Sequence, residues 1–285
     1  MPFRKPARTR SARPAASSSP GLAPPTASDA GSHQPSPLVP PCVDAVLSAS
    51  IEVLCRRSVG TADPLAGEML GSDASGIWWM PSSAYGAPGT DFERRIGYAY
   101  ASALDLRGGE DALAALRSLQ VGGAPGIAAA VAPTADRLAA RGVADPPWWP
   151  CVNGLRAVGA AELSGPDDDH RTRIVLIELE RRGERLTLGV MTDAGAAGVA
   201  ASISVFDDLS AVRGALAAYP AGPGSLDELV RPLTIEQARG RVLRAIERTD
   251  LLGTCDRYGP GFVGLRGLTL RWMDRIAPDA GAQAA

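Results

Sequence analysis

The chain has 285 residues, 45% of them hydrophobic and 21% charged, with a formal net charge of −2. That composition supports a sizeable core, in one large domain or two small ones. Residues 1–41 carry Arg4, Lys5, Arg8, Arg10 and Arg13 against Asp29, a net of +4, so residues 42–285 carry −6 and have no evident attraction to phosphate backbones. Lys5 is the only lysine. Its place in the tail excludes Walker-type phosphate loops and enzymes that need an amine nucleophile.

Residues 1–41 hold ten prolines and few large apolar side chains, so they are expected to be a disordered tail. No apolar run follows Arg13, which argues against a secretory signal. The basic cluster offers at most weak contact with nucleic acid; an inert arm or a start codon set too far upstream explains it more simply. Four cysteines, Cys42, Cys55, Cys151 and Cys255, form no CxxC pair. Neither a zinc site nor a disulfide framework follows, and free thiols fit a reducing, cytoplasmic compartment. The longest small-apolar stretch, Ala194 to Phe206, is too short to span a membrane.

Order is expected from about Pro41, where Val43, Val46, Leu47, Ile51 and Leu54 recur at helical spacing. Gly60 to Gly89 reads as a long glycine-rich loop pinned to the body by Met69, Leu70, Ile77, Trp78, Trp79 and Met80. Asp91 is placed to cap a helix carrying Phe92, Ile96, Tyr98 and Tyr100, ended by Gly108 and Gly109. Helices over Glu110–Leu119 and Gly126–Arg141 follow, the second kinked or split at Pro133. Residues 42–144 thus form a helical region. Asp145-Pro-Pro-Trp-Trp-Pro150 then forbids helix and marks a hinge to an α+β region at 145–285. Trp148 and Trp149 either pack that hinge or line a ligand cleft.

A strand over Gly154–Leu163 puts Leu155, Ala157, Gly159 and Ala161 on one side. The turn Gly165-Pro-Asp-Asp-Asp-His170 holds acids and a histidine able to ligate a metal, but adjacent residues in a turn rarely converge, and no metal is assigned. Three alternating runs then predict an antiparallel meander: Val175, Ile177, Leu179; Leu186, Leu188, Val190; and Val199, Ala201, Ile203, Val205. One face suits a core and the other mostly water. Arg182-Gly183 suits a tight turn. Asp193, beside the glycine-rich turn 194–198, is an acid next to mobile backbone. Asp207 or Asp208 is placed to cap a short helix with Leu209, Val212 and Leu216. Thr234-Ile-Glu-Gln237 has capping-box form and opens a helix with Ile235, Ala238, Val242, Leu243 and Ile246 inward. Its other face, Arg239, Arg241, Arg244 and Arg248, reads as solvated. A last helix, about Gly261–Ile276, docks through Leu265, Leu268, Trp272 and Ile276.

The fold class expected is therefore α+β: an N-terminal helical assembly, then an antiparallel meander of about four strands covered by C-terminal helices. The order of the Pro-Pro-Trp-Trp hinge, the acidic turn, Val190-Met-Thr-Asp193 with its glycine-rich turn, and Leu233-Thr-Ile-Glu-Gln-Ala-Arg239 resembles a group of uncharacterised actinobacterial proteins, over about residues 110–277. The resemblance implies a similar fold and a bacterial cytoplasmic setting, and no activity. In that group an aspartate corresponding to Asp193 is commonly followed by histidine; here Ala194 follows.

His33 lies in the tail, so histidine catalysis would have to recruit His170, and no nucleophile elbow, HExxH or GxGxxG in proper context accompanies it. The residues point to a non-catalytic accessory or protein-interaction protein without a cofactor. The competing expectation is a small-molecule binder or hydrolase-type enzyme with a cleft at the hinge, walled by Trp148, Trp149, His170 and Asp193.

Overall fold

In the computed structural model, residues 41–80, 89–164, 172–193, 198–209, 212, 230–252 and 261–276 are described. The expected tail, His170, the turn 194–197 and most of the short helix after Asp208 lie outside them. Residues Pro41–Ala285 form one compact unit. Its elements are α1 Pro41–Val59, α2 Pro64–Gly76, α3 Gly89–Arg107, α4 Gly109–Gly122, α5 Pro125–Ala140, a 3-10 turn at Trp149–Cys151, β1 Arg156–Ser164, β2 Thr172–Arg181, β3 Glu184–Asp193, β4 Val199–Phe206, β5 Val230–Pro232, α6 Ile235–Leu252 and α7 Gly261–Arg275. The fold is α+β, with helices before the strands and helices after them.

The five strands pair antiparallel in the order β4-β3-β2-β1-β5. Alternation sets this register, because a slip of one residue would turn Val175, Ile177 and Leu179 away from the helices. All three are buried with Leu188 and Val190 beneath Val242 and Ile246 of α6 and Leu268 and Trp272 of α7. Arg182 and Gly183 both adopt positive φ, 53° and 86°, which gives the two-residue turn between β2 and β3 the twist a hairpin needs.

Two shifts of register correct the expected alternation. One falls between Ala157 and Gly159, so the side of β1 that begins with Leu155 and Ala157 continues with Ala160 rather than Ala161. The second, between Met191 and Thr192 against β4, puts Ala200 rather than Ala201 with Ile203 and Val205 in the helix-covered core. An extra residue in one strand reverses the facing of everything beyond it, and the apolar pattern of small residues does not reveal it. Nor is the second face simply wetted: Leu163 and Leu176 are buried there with Val212, and Ile174, Phe206 and Leu209 pack around them.

The largest departure is α2, which replaces the middle of the expected loop 60–89. Asp63 caps it, its carboxylate oxygens accepting from the Leu65 and Ala66 amides at 3.1 Å, with Pro64 in the first turn. Its glycines are contact points rather than breakers. A Cβ on Gly71 would lie 1.9 Å from the Ser118 carbonyl oxygen of α4, so only glycine lets the two helices approach this closely. Smaller corrections follow the same reasoning. Asp91 lies inside the first turn of α3 and bonds Arg94, and α5 is not split at Pro133 but runs through it as one helix.

The helical core collects Leu54, Tyr100, Leu104, Leu113, Leu116 and Ile127, separate from the cluster under the sheet. The capping box of α6 is formed, with Gln237 N–H donating to Thr234 Oγ1 and Thr234 N–H to Gln237 Oε1. The arginine face of α6 is not all solvated: Arg239 donates to the Met273 carbonyl and Arg241 to Glu162.

Candidate functional site

The hinge is closed. Trp148 is fully buried with Val121 and Val152, and its indole lies so near Gly67 of α2 that a Cβ there would stand 2.8 Å from the ring. Trp149 is half-buried, edge-on to Trp148, with the Arg117 guanidinium 4.2 Å from its ring centre. Arg117 also holds Asp145 and Asp136, each at 2.7 Å. One arginine thus ties α4, α5 and the hinge together, and the tryptophans act as packing. Among the described residues the Trp148 indole N–H has no hydrogen-bond partner, which is what burial against glycine and valine leaves it.

Beside the hinge, α2 meets β2 and α7 through an ionic cluster that sequence patterning missed. Glu68 is fully buried and accepts from Arg181 at 2.9 Å on both oxygens, from Arg275 at 2.6 Å and from the Trp272 indole at 3.3 Å. A buried carboxylate is tolerated only when compensated in this way. Arg266 makes a second cluster, donating to Asp250 at 2.6 and 2.7 Å and to Glu93 at 2.9 Å; Trp79 also donates to Asp250. Burial alone would lower the Arg266 pKa, but the carboxylates outweigh it and hold it above its ordinary value. The only sequence signals were single charges inside small or apolar runs, such as Glu68 in Leu65-Ala-Gly-Glu-Met-Leu70.

The four residues expected to wall a cleft do not all converge. His170 lies outside the described residues. Asp193 pairs with Thr172 at the end of the β2–β3 hairpin away from its turn. The turn end is the one tied to the hinge, through Arg182 donating to the Pro150 carbonyl at 3.4 Å. Nine residue steps along β3 separate the two ends, about 30 Å. Asp193 and the tryptophans therefore cannot touch one small ligand.

A concavity lies elsewhere, between α1 and α2 on the outside of the helical region. It encloses about 390 Å³. Val46, Ala49 and Val53 of α1 face Leu70 and Ala74 of α2, and Ile77 just past its end, across it. Ser50 supplies a polar spot: its Oγ is 2.6 Å from the Tyr100 hydroxyl, which donates to the Ala74 carbonyl and accepts from the Trp78 indole. Burial raises the Tyr100 pKa, so this hydroxyl stays protonated. Arg57 and Asp73 also line the groove. Among the described residues neither side chain has a hydrogen bond or a close ion pair. Burial raises the Asp73 carboxyl and the Arg57 charge partly lowers it.

No family model, curated protein or solved structure matches the chain.

The site's chemistry rests on its own geometry. Cys55, on the inner side of α1, is a free buried thiol pushed up to about 11 by burial, so it is not a nucleophile at neutral pH. Among the described residues, no group of three or more histidines, cysteines and acids is placed to hold a metal ion. No described helix is long and apolar enough to cross a membrane. The arrangement holds helices together at the hinge and presents an apolar, charge-edged groove outside.

Proposed function

We propose that the protein is a non-catalytic interaction or accessory protein of the bacterial cytoplasm, in keeping with the resemblance to the actinobacterial group. The observation that carries this reading is the closed junction: the place where an α+β protein of this layout would open a ligand cleft is filled by Trp148 against Gly67, and the buried carboxylate beside it, Glu68, is fully occupied by Arg181, Arg275 and Trp272. A carboxylate that already accepts several hydrogen bonds has little capacity left for substrate. The test is a thermal-shift screen of the full chain against divalent metals, nucleotides and small carboxylic and amine metabolites. A ligand at about 100 times its Kd would add about 2.7 kcal/mol, a shift of several degrees in a domain of this size. The expected result is no such shift. A rise of several degrees with any one of these ligands would overturn the reading.

A further inference from the structure

We infer that the α1–α2 groove is the docking site for an amphipathic helix of a partner protein, one that carries an acid and a base beside its apolar stripe. This rests on the interaction reading above and names its surface and the kind of partner. From Val46 to Arg57 the α1 wall runs about 16 Å, three helical turns, and its groove-facing residues recur at intervals of three and four. That repeat matches the ridge of an incoming helix with anchors at i, i+3 or i+4, and i+7. The walls are open: Val46, Val53 and Ile77 are 46%, 42% and 54% exposed. A small molecule is normally engulfed by its site, whereas a helix laid along these walls would cover them.

Charge complementarity sets the partner's polar residues. Arg57 and Asp73 lie near enough to feel each other, yet neither side chain makes a direct bond among the described residues. Most other arginines and acids of the helical region are paired directly, as Arg107 is with Glu52 and Asp111 and Arg137 with Asp105. A helix bearing a glutamate toward Arg57 and a lysine toward Asp73 would complete both. A second copy of the chain would bring its own Asp73 toward Arg57, so it is the rival occupant that the experiment has to separate from a partner helix.

The experiment selects binders of the full chain from a displayed library of random helix-forming peptides and measures them by fluorescence anisotropy. Enriched sequences should share the apolar i, i+3/i+4, i+7 stripe with a flanking acid and base. Val53→Arg and Ile77→Lys, both surface changes, should each weaken binding at least about tenfold while melting temperature is retained. The double reversal Arg57→Glu with Asp73→Arg should prefer peptides with acid and base exchanged. Failure to enrich such sequences, or affinity unchanged by Val53→Arg, overturns the inference. So does a concentration-dependent dimer in sedimentation that Val53→Arg abolishes, since a second copy would then fill the groove. None of these failures touches the interaction reading, which falls only to stabilisation by a small molecule.

Discussion

Glu68 and Asp73 belong to the same helix, α2, and meet opposite surroundings. Glu68 is sealed from solvent and accepts from two arginines and an indole, whereas Asp73 stands at the rim of an apolar groove with no hydrogen bond among the described residues. On the inner side, charge is confined by partners from distant parts of the chain, and removing one partner strands the rest. On the outer side Arg57 and Asp73 act on each other only through space, without a direct bond among the described residues, and they can be altered with little effect on the fold. A helix that fixes the body with one face leaves the other free to be altered without disturbing the fold.

Substitutions on the two faces should therefore differ sharply. Glu68→Ala leaves Arg181 buried without its carboxylate and should cost about 3–5 kcal/mol in urea unfolding; a loss under 1 kcal/mol would show that the cluster is not sealed. Gly71→Ala forces a methyl group toward the Ser118 carbonyl and should cost about 1–3 kcal/mol. If Gly71→Ala were neutral, α2 would not pack on α4 as described. On the outer face Val53→Arg should stay within about 0.5 kcal/mol of the parent.

The smallest effect concerns pH. A carboxyl whose folded pKa is raised binds its proton more tightly in the folded state, so it detracts from stability as pH rises from the unfolded value through the folded one. Asp73→Asn should therefore raise the melting temperature at pH 7, with the gain fading below the ordinary carboxylate pKa of 3.8. A gain that persists at pH 3 would assign the effect to something other than charge. The thiol of Cys55 gives a parallel check on the inner side of α1. Held at about 11 by burial, it should resist thiol reagents at pH 8 until denaturant opens the helical core.

How far the sequence could be read follows the same division. The meander was legible because Val175, Ile177, Leu179, Leu188 and Val190 alternate over long strands, and the α6 start because Thr234 and Gln237 bond locally. Local patterns carry local structure. The helix α2 was hidden because glycine reads as a breaker: each costs about 1 kcal/mol in a helix, and only the contacts of Gly67 with Trp148 and Gly71 with Ser118 explain its use. The paired side chains around Glu68 lie 113 to 207 positions away along the chain, beyond any periodicity. Trp148 and Trp149 were expected either to pack between the helical and sheet parts or to wall a cleft, and the contacts they make are those of packing. The groove was invisible because Val46 read as an ordinary inward member of an amphipathic helix, whereas it is 46% exposed.

One outer strand limits how copies of this chain can join. β5 is three residues long and contains Pro232, whose ring nitrogen has no hydrogen to donate. An incoming strand on that flank would find a template too short to bond along, so growth into fibres by strand addition is blocked there.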